Sequence, residues 1–432
     1  MDSSTIRRLK FPKIDMIKKY INEGVNLFIT GSGGTGKSTN LIEIRKHLHK
    51  TGKKYKVTAP TGIAAINVKG TTLHSFVGLG LADKDKEILC LMTQANKALY
   101  KRWNDLDVLI IDEISMIDID FFIKVEYIAR NIRNDDSPFG GIQLIFVGDF
   151  FQLPPVNMST SSSGKKEKYI FENKIWQDLN ITTIELTKNM RQDNKEFFDV
   201  LNEVRWGSIS DKSYEILKKC EGVNFKDSIK PTILFSTNKN VDELNNLHYE
   251  KLKGKEHSYV GEITWTGHKH ENYYKKIGEN ITNSSRAKLQ LNLKEGAQVI
   301  LLANIHKKGL ANGSRAVITG FENSYPVVEF KHITTEIKPY SWTKDLEENG
   351  SVTYSQVPLK LAYAITIHSS QSLTIDKLSV NLGGIFECGQ AYTALSRSTS
   401  LDGLVIKNLS RGCIKAHKKV IEFYKNLNKD EK

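Results

Sequence analysis

The segment "GSGGTGKS", residues 31–38, follows the apolar run "NLFIT" and opens the helical pattern "STNLIEIRKHLHKTG". Its spacing matches G-x-x-x-x-G-K-[S/T], in which glycines let backbone N–H groups surround phosphate groups at a helix N-terminus. A flexible glycine loop is the alternative, but it does not explain the strand before and the helix after. The pattern predicts a phosphate-binding loop in an α/β fold. The candidate nucleotide-binding residues are Gly31, Gly33, Gly34, Thr35, Gly36, Lys37, Ser38 and Thr39.

The first 190 residues contain further short apolar runs that end in polar turns. "YKVTA" ends at Pro60, "VLII" at Asp112 and "LIFV" at Gly148 and Asp149, while "ITTIEL" leads into "TKNMRQ". Runs that are apolar at every position are typical of strands buried on both faces of a parallel sheet. Helical patterns lie between them. We therefore predict a doubly wound α/β domain whose polar turns meet at the carboxyl edge of the sheet, where ligands bind.

Two of these turns carry candidate catalytic side chains. Asp112 is suited to hold Mg²⁺ together with Ser38, and Glu113 is suited to orient and deprotonate a water molecule. Taken alone, this acidic pair is better explained as a solvated strand end. Gln152, in a proline-stiffened loop that begins at Asp149, is predicted to sense the γ-phosphate. An ordinary turn would explain the prolines but not the pairing of Asp149 with Gln152.

Two arginines lie far apart in the chain, Arg191 in "LTKNMRQ" and Arg397 in "AYTALSRS". A cationic side chain next to a transferred phosphoryl group is worth about a thousandfold or more in rate. The two positions therefore predict a site that is closed by two domains. Each arginine taken singly is more simply explained as a surface residue.

The second half of the chain has a different organisation. "PTILFSTNKNVDELN", "LKLAYAITIH", "LSVNLGG" and "LVIKNL" predict a second α/β domain that is interrupted and later completed. Between them, residues 256–354 contain alternating runs at close spacing, which predict a small antiparallel barrel. His268 and His270 in "GHKHENYY" are predicted to lie in an exposed loop rather than in a metal site, because no third ligand lies nearby. The segment "KHENYYKKIGEN" mixes tyrosine with lysine, which is equally compatible with base stacking and with a solvated lysine face.

Charge and cysteine content narrow the class of partner. Sixty-two basic and 49 acidic residues give a net charge of +13 and a pI of about 9.2. A polyanion is therefore the leading partner, although composition alone does not separate it from an acidic membrane surface. Four scattered cysteines without a C-x-x-C pair predict neither a disulfide framework nor a zinc site. The chain has no apolar leader and no run of about 18 apolar residues, so we expect a soluble, unprocessed protein.

The chain resembles the petite-integration-frequency (PIF) helicases of superfamily 1, subgroup B, from about residue 25 to about residue 410. The motifs that carry the resemblance are "GSGGTGKS", "APTGIAAINVKGTTLHSF", "IIDEISMID", "FGGIQLIFVGDFFQLPPV", "LTKNMRQ", "NGSRAVITGF", "LAYAITIHSSQS" and "GQAYTALSRSTSLDGL".

The resemblance implies an activity and two sets of residues. The activity is ATP-driven, Mg²⁺-dependent 5′ to 3′ movement on single-stranded DNA, with unwinding of duplexes, DNA–RNA hybrids or G-quadruplexes in replication, repair, recombination or telomere maintenance. By motif position, ATP hydrolysis would use Lys37, Ser38, Asp112, Glu113, Gln152, Arg191 and Arg397. The residues facing the DNA strand would be Pro60, Thr61, His74, Phe76, Asn238 and His368.

The resemblance also implies a domain plan and partners. We expect two RecA-like doubly wound P-loop NTPase domains with a small inserted SH3-like β-barrel, acting as a monomeric motor on single-stranded and forked DNA. The expected location is the cytoplasm for a bacterial or viral type, and the nucleus or mitochondrion for a eukaryotic one. The first RecA-like domain is expected at residues 1–185, with a small wedge insertion at about 66–100. The second RecA-like domain is expected at 186–255 and 355–412, and the inserted barrel between them at 256–354. A C-terminal helix or tail is expected at 413–432.

Two other functions stay open from the sequence. A phosphate-loop kinase or metabolic NTPase would turn over nucleotide without DNA, although the second α/β half is not expected in such an enzyme. A nucleotide-switched DNA clamp would bind without unwinding. Ser369 and Ser372 in "HSSQS" keep the clamp as an alternative function, because the family commonly has lysine and glycine at these positions.

Overall fold

The computed structural model describes residues 9–10, 14–78, 82, 84–155, 168–191, 194–223, 230–268, 270–303, 305, 310, 312–346, 350–371 and 373–427. The chain divides into two compact units. The first unit comprises Met1–Ser208, Glu387–Tyr392 and Ile414–Lys432, and the second comprises Ile209–Phe386 and Thr393–Cys413. In the part of the chain that is described, no helix combines the length and the apolar character needed to cross a bilayer.

The strands, in chain order, are β1 (Leu9–Lys10), β2 (Leu27–Thr30), β3 (Tyr55–Ala59), β4 (Thr71–Thr72), β5 (Val108–Ile111), β6 (Gln143–Val147), β7 (Thr182–Glu185), β8 (Thr232–Phe235), β9 (His257–Val260), β10 (Glu262–Thr266), β11 (Gln290–Leu293), β12 (Gln298–Leu301), β13 (Arg315–Glu322), β14 (Tyr325–Phe330), β15 (Thr334–Glu336), β16 (Tyr340–Leu346), β17 (Gly350–Gln356), β18 (Leu359–Leu361), β19 (Ala364–Thr366), β20 (Leu378–Asn381) and β21 (Leu404–Lys407).

The α-helices are α1 (Ile14–Asn22), α2 (Lys37–Lys50), α3 (Gly62–Asn67), α4 (Leu73–Val77), α5 (Lys86–Ala95), α6 (Lys97–Asn104), α7 (Ile119–Arg133), α8 (Lys174–Asp178), α9 (Lys195–Arg205), α10 (Asp211–Lys218), α11 (Asn238–Glu250), α12 (Glu271–Ser285), α13 (Gln390–Leu395) and α14 (Lys418–Asn426). Short 3-10 turns cover Ile114–Met116, Pro138–Gly141, Ile170–Glu172, His368–Ser370 and Arg411–Cys413.

The first unit contains a parallel sheet with the strand order β1-β7-β2-β6-β5-β3-β4. All of its neighbouring strands are parallel, so their carboxyl ends share one edge. Strands β2, β5, β6 and β7 are buried at every position, as predicted for a parallel sheet that is covered on both faces. The predicted α/β architecture is confirmed for this unit, and the edge brings together the turns that the sequence singled out.

Helices and an aromatic cluster complete the core of the first unit. Buried residues of α1 and α2, including Ile17 and Ile44, pack with the apolar side chains of the sheet. Phe423 of α14 stacks on Phe171 with ring centroids 4.4 Å apart and also meets Phe150 at 5.5 Å. The helix near the C-terminus is therefore part of this core rather than an appendage.

Helix α7 shows how single side chains set the limits of an element. The Asp118 carboxylate accepts hydrogen bonds from the N–H groups of Asp120 at 3.0 Å and Phe121 at 3.1 Å, which satisfies two donors of the first turn. At the other end Asn134 takes a left-handed conformation with φ of 49° and stops the helix.

The second unit contains a parallel sheet and antiparallel sheets. The parallel sheet has the order β19-β8-β20-β21, which confirms the predicted second α/β core. The antiparallel sheets have the orders β15-β14-β13-β12-β18, β10-β17-β16 and β11-β9. The alternating runs of residues 256–354 thus form antiparallel strands as predicted. Closure of these strands into an SH3-like barrel stays a prediction.

His268 and His270 of "GHKHENYY" are exposed and precede α12, as the predicted exposed loop requires, but the rest of the segment is helical. The His270 side chain accepts a hydrogen bond from the Asn272 N–H at 3.3 Å as the N-cap of α12. Tyr274 is buried and stacks on Trp265 with centroids 5.9 Å apart. Tyr274, Ile277 and Ile281 recur at helical spacing, and this period explains the helix.

The predicted domain boundaries stay predictions. The compact units group the chain more coarsely, since the second unit holds both its parallel sheet and the antiparallel strands of the insert. Of residues 413–432, predicted as a C-terminal helix or tail, residues 414–432 belong to the first unit and Cys413 to the second.

Candidate functional site

The phosphate loop connects Thr30, the last residue of β2, with Lys37, the first residue of α2. Gly34 and Gly36 take φ values of 89° and 84°, which glycine adopts without steric cost. The N–H of Met190, in the segment after β7, donates to the carbonyl of Gly34 at 2.8 Å and braces the loop. The loop therefore leads into the N-terminus of a 14-residue helix, where N–H groups and partial positive charge favour phosphate.

Both the backbone conformation at position 31 and the atoms around it require glycine. Its φ is 142°, and an added Cβ would lie 2.3 Å from the carbonyl oxygen of Leu186 and 2.8 Å from the hydroxyl of Thr35. We expect Gly31→Ala to displace the loop and weaken ADP binding by about tenfold or more, because backbone N–H groups would leave their positions. Titration with a fluorescent ADP analogue measures this.

The matched control for that variant is Gly24→Ala. Gly24 also has a positive φ, of 74°, but no atom lies within 4 Å of an added Cβ. This variant should carry only the strain of the left-handed conformation, about 1–2 kcal/mol, and keep its affinity for ADP. If Gly31→Ala bound ADP as well as Gly24→Ala does, the assignment of the phosphate loop would be contradicted.

Lys37 lies on the loop that it is predicted to serve. Its ammonium group donates to the carbonyls of Gly31 at 2.7 Å and Ser32 at 3.0 Å. Burial lowers the pKa of Lys37 to about 8, and the carboxylates of Asp149 and Glu113 partly offset this effect. A desolvated cation in this position would interact strongly with an incoming phosphate.

The acidic pair follows directly after β5. Asp112 and Glu113 are 8% and 9% exposed, which excludes the alternative of a solvated strand end. Burial raises the pKa of Asp112 to about 8, and the neighbouring carboxylate of Glu113 adds to the rise. Glu113 also holds a left-handed backbone, with φ of 49° and ψ of 45°. A left-handed backbone is uncommon at a non-glycine residue without a short polar side chain.

The residues present fit Mg²⁺. Ser38 lies in the exposed first turn of α2, with Thr39 beside it, and Asp112 is close enough to Lys37 for the two charges to interact. Hydroxyl and carboxylate oxygens are the donors that Mg²⁺ takes together with substrate phosphates. Within the described residues, no group of three His, Cys, Asp or Glu side chains forms a metal cage. An ion at Ser38 and Asp112 would thus depend on the phosphates for further ligands.

Gln152 is buried in the loop after β6, with 4% of its surface exposed. Its side-chain oxygen has no hydrogen-bond partner among the described residues, and its backbone N–H donates to the carbonyl of Asp149 at 2.9 Å. A buried amide oxygen normally has a partner. This acceptor is suited to a water molecule, whereas the amide nitrogen of the same side chain is the donor that suits the predicted γ-phosphate.

Asp149 begins the loop that carries Gln152, and its contacts give it a structural role there. Its carboxylate is fully buried and forms a two-point ion pair with the guanidinium of Arg205, with both N–O distances 2.9 Å. It is therefore a structural anchor of the loop that carries Gln152. The sequence did hold one signal, since a carboxylate directly after a fully buried strand needs a cationic partner. That signal did not identify Arg205.

The two predicted arginines lie in different units. Arg191 follows Met190, which hydrogen-bonds the phosphate loop, and its charge lowers the pKa of Lys37 slightly. Arg397, in the second unit, is 2% exposed and donates to the carbonyl of Thr393 and the hydroxyl of Ser396, both at 2.9 Å. Its role at the nucleotide stays a prediction.

The DNA-facing candidates of the first unit follow β3 and β4, which are neighbours in the sheet. Pro60 and Thr61 come directly after β3, and His74 on α4 stacks on Phe121 with centroids 3.8 Å apart. The structure does not agree with the predicted DNA-facing position of Phe76. It is 3% exposed and packs on Trp103 at 5.2 Å, so it belongs to the interior and does not present its ring to a base.

The candidates of the second unit also follow neighbouring strands. Asn238 is exposed at the start of α11 after β8, and His368 follows β19, which pairs with β8 in parallel. Both residues therefore lie at the carboxyl edge of that sheet. Ser369 adjoins His368, and its carbonyl accepts a hydrogen bond from Arg286. Ser372 lies outside the described residues.

Comparison with known proteins finds two family matches. The model of the PIF1-like helicase matches residues 12–215, and that of the 2B domain of the DNA helicase Pif1 matches residues 278–321. The crystal structure of the Pif1 helicase from Candida albicans is 36% identical, with a TM-score of 0.76 and coverage of 96% of this chain and 98% of that one.

The chain belongs to the PIF1-like helicase family. Another PIF1-like structure, Pif1 from Bacteroides in complex with ADP-AlF3 and single-stranded DNA, is 29% identical with a TM-score of 0.67 and covers 98% of each chain. The ATP-dependent DNA helicase PIF1 of Xenopus laevis is 37% identical over 96% of this chain. The present PIF1-like chain spans 64% of the length of the Xenopus protein.

Proposed function

We propose that this chain is an ATP-dependent DNA helicase, which hydrolyses ATP to move along single-stranded DNA and separate paired strands. The observation that carries the proposal is the position of the phosphate loop, the acidic pair and Gln152 at the carboxyl ends of the adjoining strands β2, β5 and β6. Family membership supports it, as does the Bacteroides relative, which was solved with a nucleotide and with single-stranded DNA.

In this proposal the phosphate loop and Lys37 bind the phosphates of ATP through N–H groups and one ammonium. Ser38 and Asp112 hold Mg²⁺, which when bound neutralises phosphate charge and orients the triphosphate. Glu113, a buried carboxylate beside Asp112, orients a water molecule and accepts its proton.

Three further side chains act near the γ-phosphate in this proposal. Gln152 contributes a neutral amide, which senses the phosphate without adding charge. Arg191 and Arg397 supply positive charge to the phosphoryl group as it is transferred. Arg397 is the one residue of this proposed set that belongs to the second unit.

For nucleic acid, we propose that Pro60, Thr61 and His74 of the first unit, with Asn238 and His368 of the second, face a single DNA strand. Contacts to phosphates and stacking on bases hold a strand of any sequence, and a net charge of +13 favours such a ligand. We further propose 5′ to 3′ movement by a monomer on forked duplexes, DNA–RNA hybrids or G-quadruplexes, in replication, repair, recombination or telomere maintenance.

The deciding experiment is a strand-separation assay with a 5′-tailed duplex, a 3′-tailed duplex and a tailed G-quadruplex, each with ATP and Mg²⁺. We expect separation of the 5′-tailed duplex and little of the 3′-tailed one. The matched control is Glu113→Gln, which should bind ATP and DNA but separate no strands, because the general base is lost. A parent chain that binds all three substrates and separates none would be a nucleotide-switched clamp.

A further inference from the structure

The carboxylate of Asp149 is the centre of a buried hydrogen-bond network in the first unit. Its Oδ1 accepts from the N–H of Phe151 at 3.2 Å, Nη2 of Arg205 at 2.9 Å and the hydroxyl of Tyr424 at 3.2 Å. Its Oδ2 accepts from Nε of Arg205 at 2.9 Å and the hydroxyl of Tyr392 at 3.2 Å. The two tyrosines are not among the residues that the sequence motifs predict to act on ATP.

Chemistry fixes the direction of these hydrogen bonds. A carboxylate paired with arginine only accepts, so each tyrosine hydroxyl must donate its single proton to Asp149. The oxygen of Tyr392 then accepts from the N–H of Gly33 at 2.6 Å, within the phosphate loop. The oxygen of Tyr424 accepts from the hydroxyl of Thr30, likewise at 2.6 Å. Burial and the adjacent Asp149 raise the pKa of Tyr424, so this hydroxyl keeps its proton.

These contacts connect two loops that carry predicted catalytic groups. Thr30 and Gly33 belong to the phosphate loop and its strand, whereas Asp149 opens the loop that ends with Gln152. Tyr424 also accepts from the N–H of Phe150 at 3.3 Å, next to Asp149. The amide oxygen of Gln152 has no hydrogen-bond partner among the described residues to orient it, so its position depends on the backbone of its loop.

We infer that Tyr392 and Tyr424 are positioning residues for ATP hydrolysis, which hold Gln152 in register with the phosphate loop through Asp149. The inference rests on the proposed function. Neither hydroxyl needs to touch the nucleotide. Displacement of a catalytic group by about 1 Å can cost up to a hundredfold in rate, so a few hydrogen bonds that fix one loop against another have a large effect on turnover.

Phenylalanine substitution isolates the hydroxyls. The Tyr424 ring stacks on Phe151 with centroids 4.8 Å apart, and the guanidinium of Arg205 lies 4.6 Å from the Phe151 ring and 4.9 Å from the Tyr424 ring. Phe at position 424 would keep these ring contacts and remove only the hydrogen bonds. The same applies to the buried side chain of Tyr392.

The experiment compares Tyr392→Phe, Tyr424→Phe and the double variant with the parent chain for kcat and KM of DNA-stimulated ATP hydrolysis, ADP affinity and thermal stability. We expect kcat to fall about tenfold in each single variant. ADP affinity should change less than about threefold, because ADP lacks the phosphate that Gln152 is proposed to contact. In the double variant, the fold-decrease in kcat should be smaller than the product of the two single decreases, since both hydroxyls act on Asp149.

Two further comparisons separate positioning from general stabilisation. In a Gln152→Ala background, Tyr392→Phe should lower kcat no further, whereas a merely structural hydroxyl would lower it equally in both backgrounds. The matched control is Tyr354→Phe, in the second unit. Tyr354 is buried, and its hydroxyl donates to the carbonyls of Ala287 and Lys288, both at 3.0 Å. That variant should lose stability but keep its kcat.

Unchanged kcat in folded Tyr392→Phe and Tyr424→Phe proteins would overturn the inference and leave the proposed function standing. A parallel loss of ADP affinity, or an undiminished effect in the Gln152→Ala background, would also overturn it. A parent chain that turns over no ATP would overturn the proposed function and this inference together. A parent that turns over ATP without separating strands would overturn only the helicase assignment, because the kcat comparison would still decide the role of the tyrosines.

Discussion

Lys37→Ala should lower DNA-stimulated ATP hydrolysis by about a thousandfold or more while binding to single-stranded DNA persists. The ammonium of Lys37 donates hydrogen bonds to the carbonyls of Gly31 and Ser32, within the glycine-rich loop that we propose binds the phosphates. Lys37 is the one lysine that is predicted to bind the phosphates from this loop. Substitution by alanine therefore removes the side-chain ammonium that is proposed to bind the triphosphate. Steady-state phosphate release measures hydrolysis, and fluorescence anisotropy with a labelled oligonucleotide measures binding.

The control for this variant lies on the same helix. Lys46 is exposed and pairs with Glu43 at 2.7 Å on the surface of α2, where an ion pair contributes little. Lys46→Ala removes the same charge and should hydrolyse ATP at the rate of the parent. If Lys37→Ala did so too, residues 31–38 would not be the nucleotide site.

The second large effect is expected from Arg205→Met. The variant leaves the fully buried Asp149 without its cation, and breaking a buried ion pair in this way costs about 3–5 kcal/mol of unfolding free energy. Burial alone would lower the pKa of Arg205, but the adjacent Asp149 more than offsets it, so the pKa lies above its ordinary value. Thermal and chemical denaturation measure the loss, which corresponds to a fall in Tm of roughly 10 °C.

An exposed ion pair of the same unit provides the comparison. Lys174 and Asp178 lie 3.1 Å apart with side chains 83% and 43% exposed, so Lys174→Ala should cost less than about 1 kcal/mol. Adding Asp149→Asn to Arg205→Met removes the uncompensated charge and should recover part of the stability. An Arg205→Met protein as stable as the parent would show that the buried pair does not hold the loop.

The sequence predicted those parts of the site that have local signals. An unbroken apolar run indicates a strand buried on both faces, and glycine spacing followed by Lys37 indicates a phosphate loop. The position of Asp112 and Gln152 at strand ends then followed from the rule that parallel strands share a carboxyl edge. These inferences use only neighbouring residues, and the fold confirms the placement of all three features.

What the sequence did not predict depends on distant contacts. Asp149 meets Arg205, Tyr392 and Tyr424, which are 56, 243 and 275 residues away in the chain. The sequence around each of these four residues contains no pattern that predicts their hydrogen bonds to one another. Phe76 shows a second difficulty, because its motif position suggested a DNA contact, whereas packing against Trp103 decides that its ring lies inside. A sequence motif that indicates function does not by itself predict which side chains of a short helix are exposed to solvent.

The hydrogen bond between Tyr424 and Thr30 has a consequence for biosynthesis. The two residues are 394 positions apart, and both are buried in the same unit. On the ribosome, strand β2 and the phosphate loop emerge long before the hydroxyl and aromatic rings of α14 that complete their surroundings. The nascent first unit must therefore remain incomplete, with Asp149 short of a donor and Phe150 uncovered, until translation has passed through nearly the entire second unit.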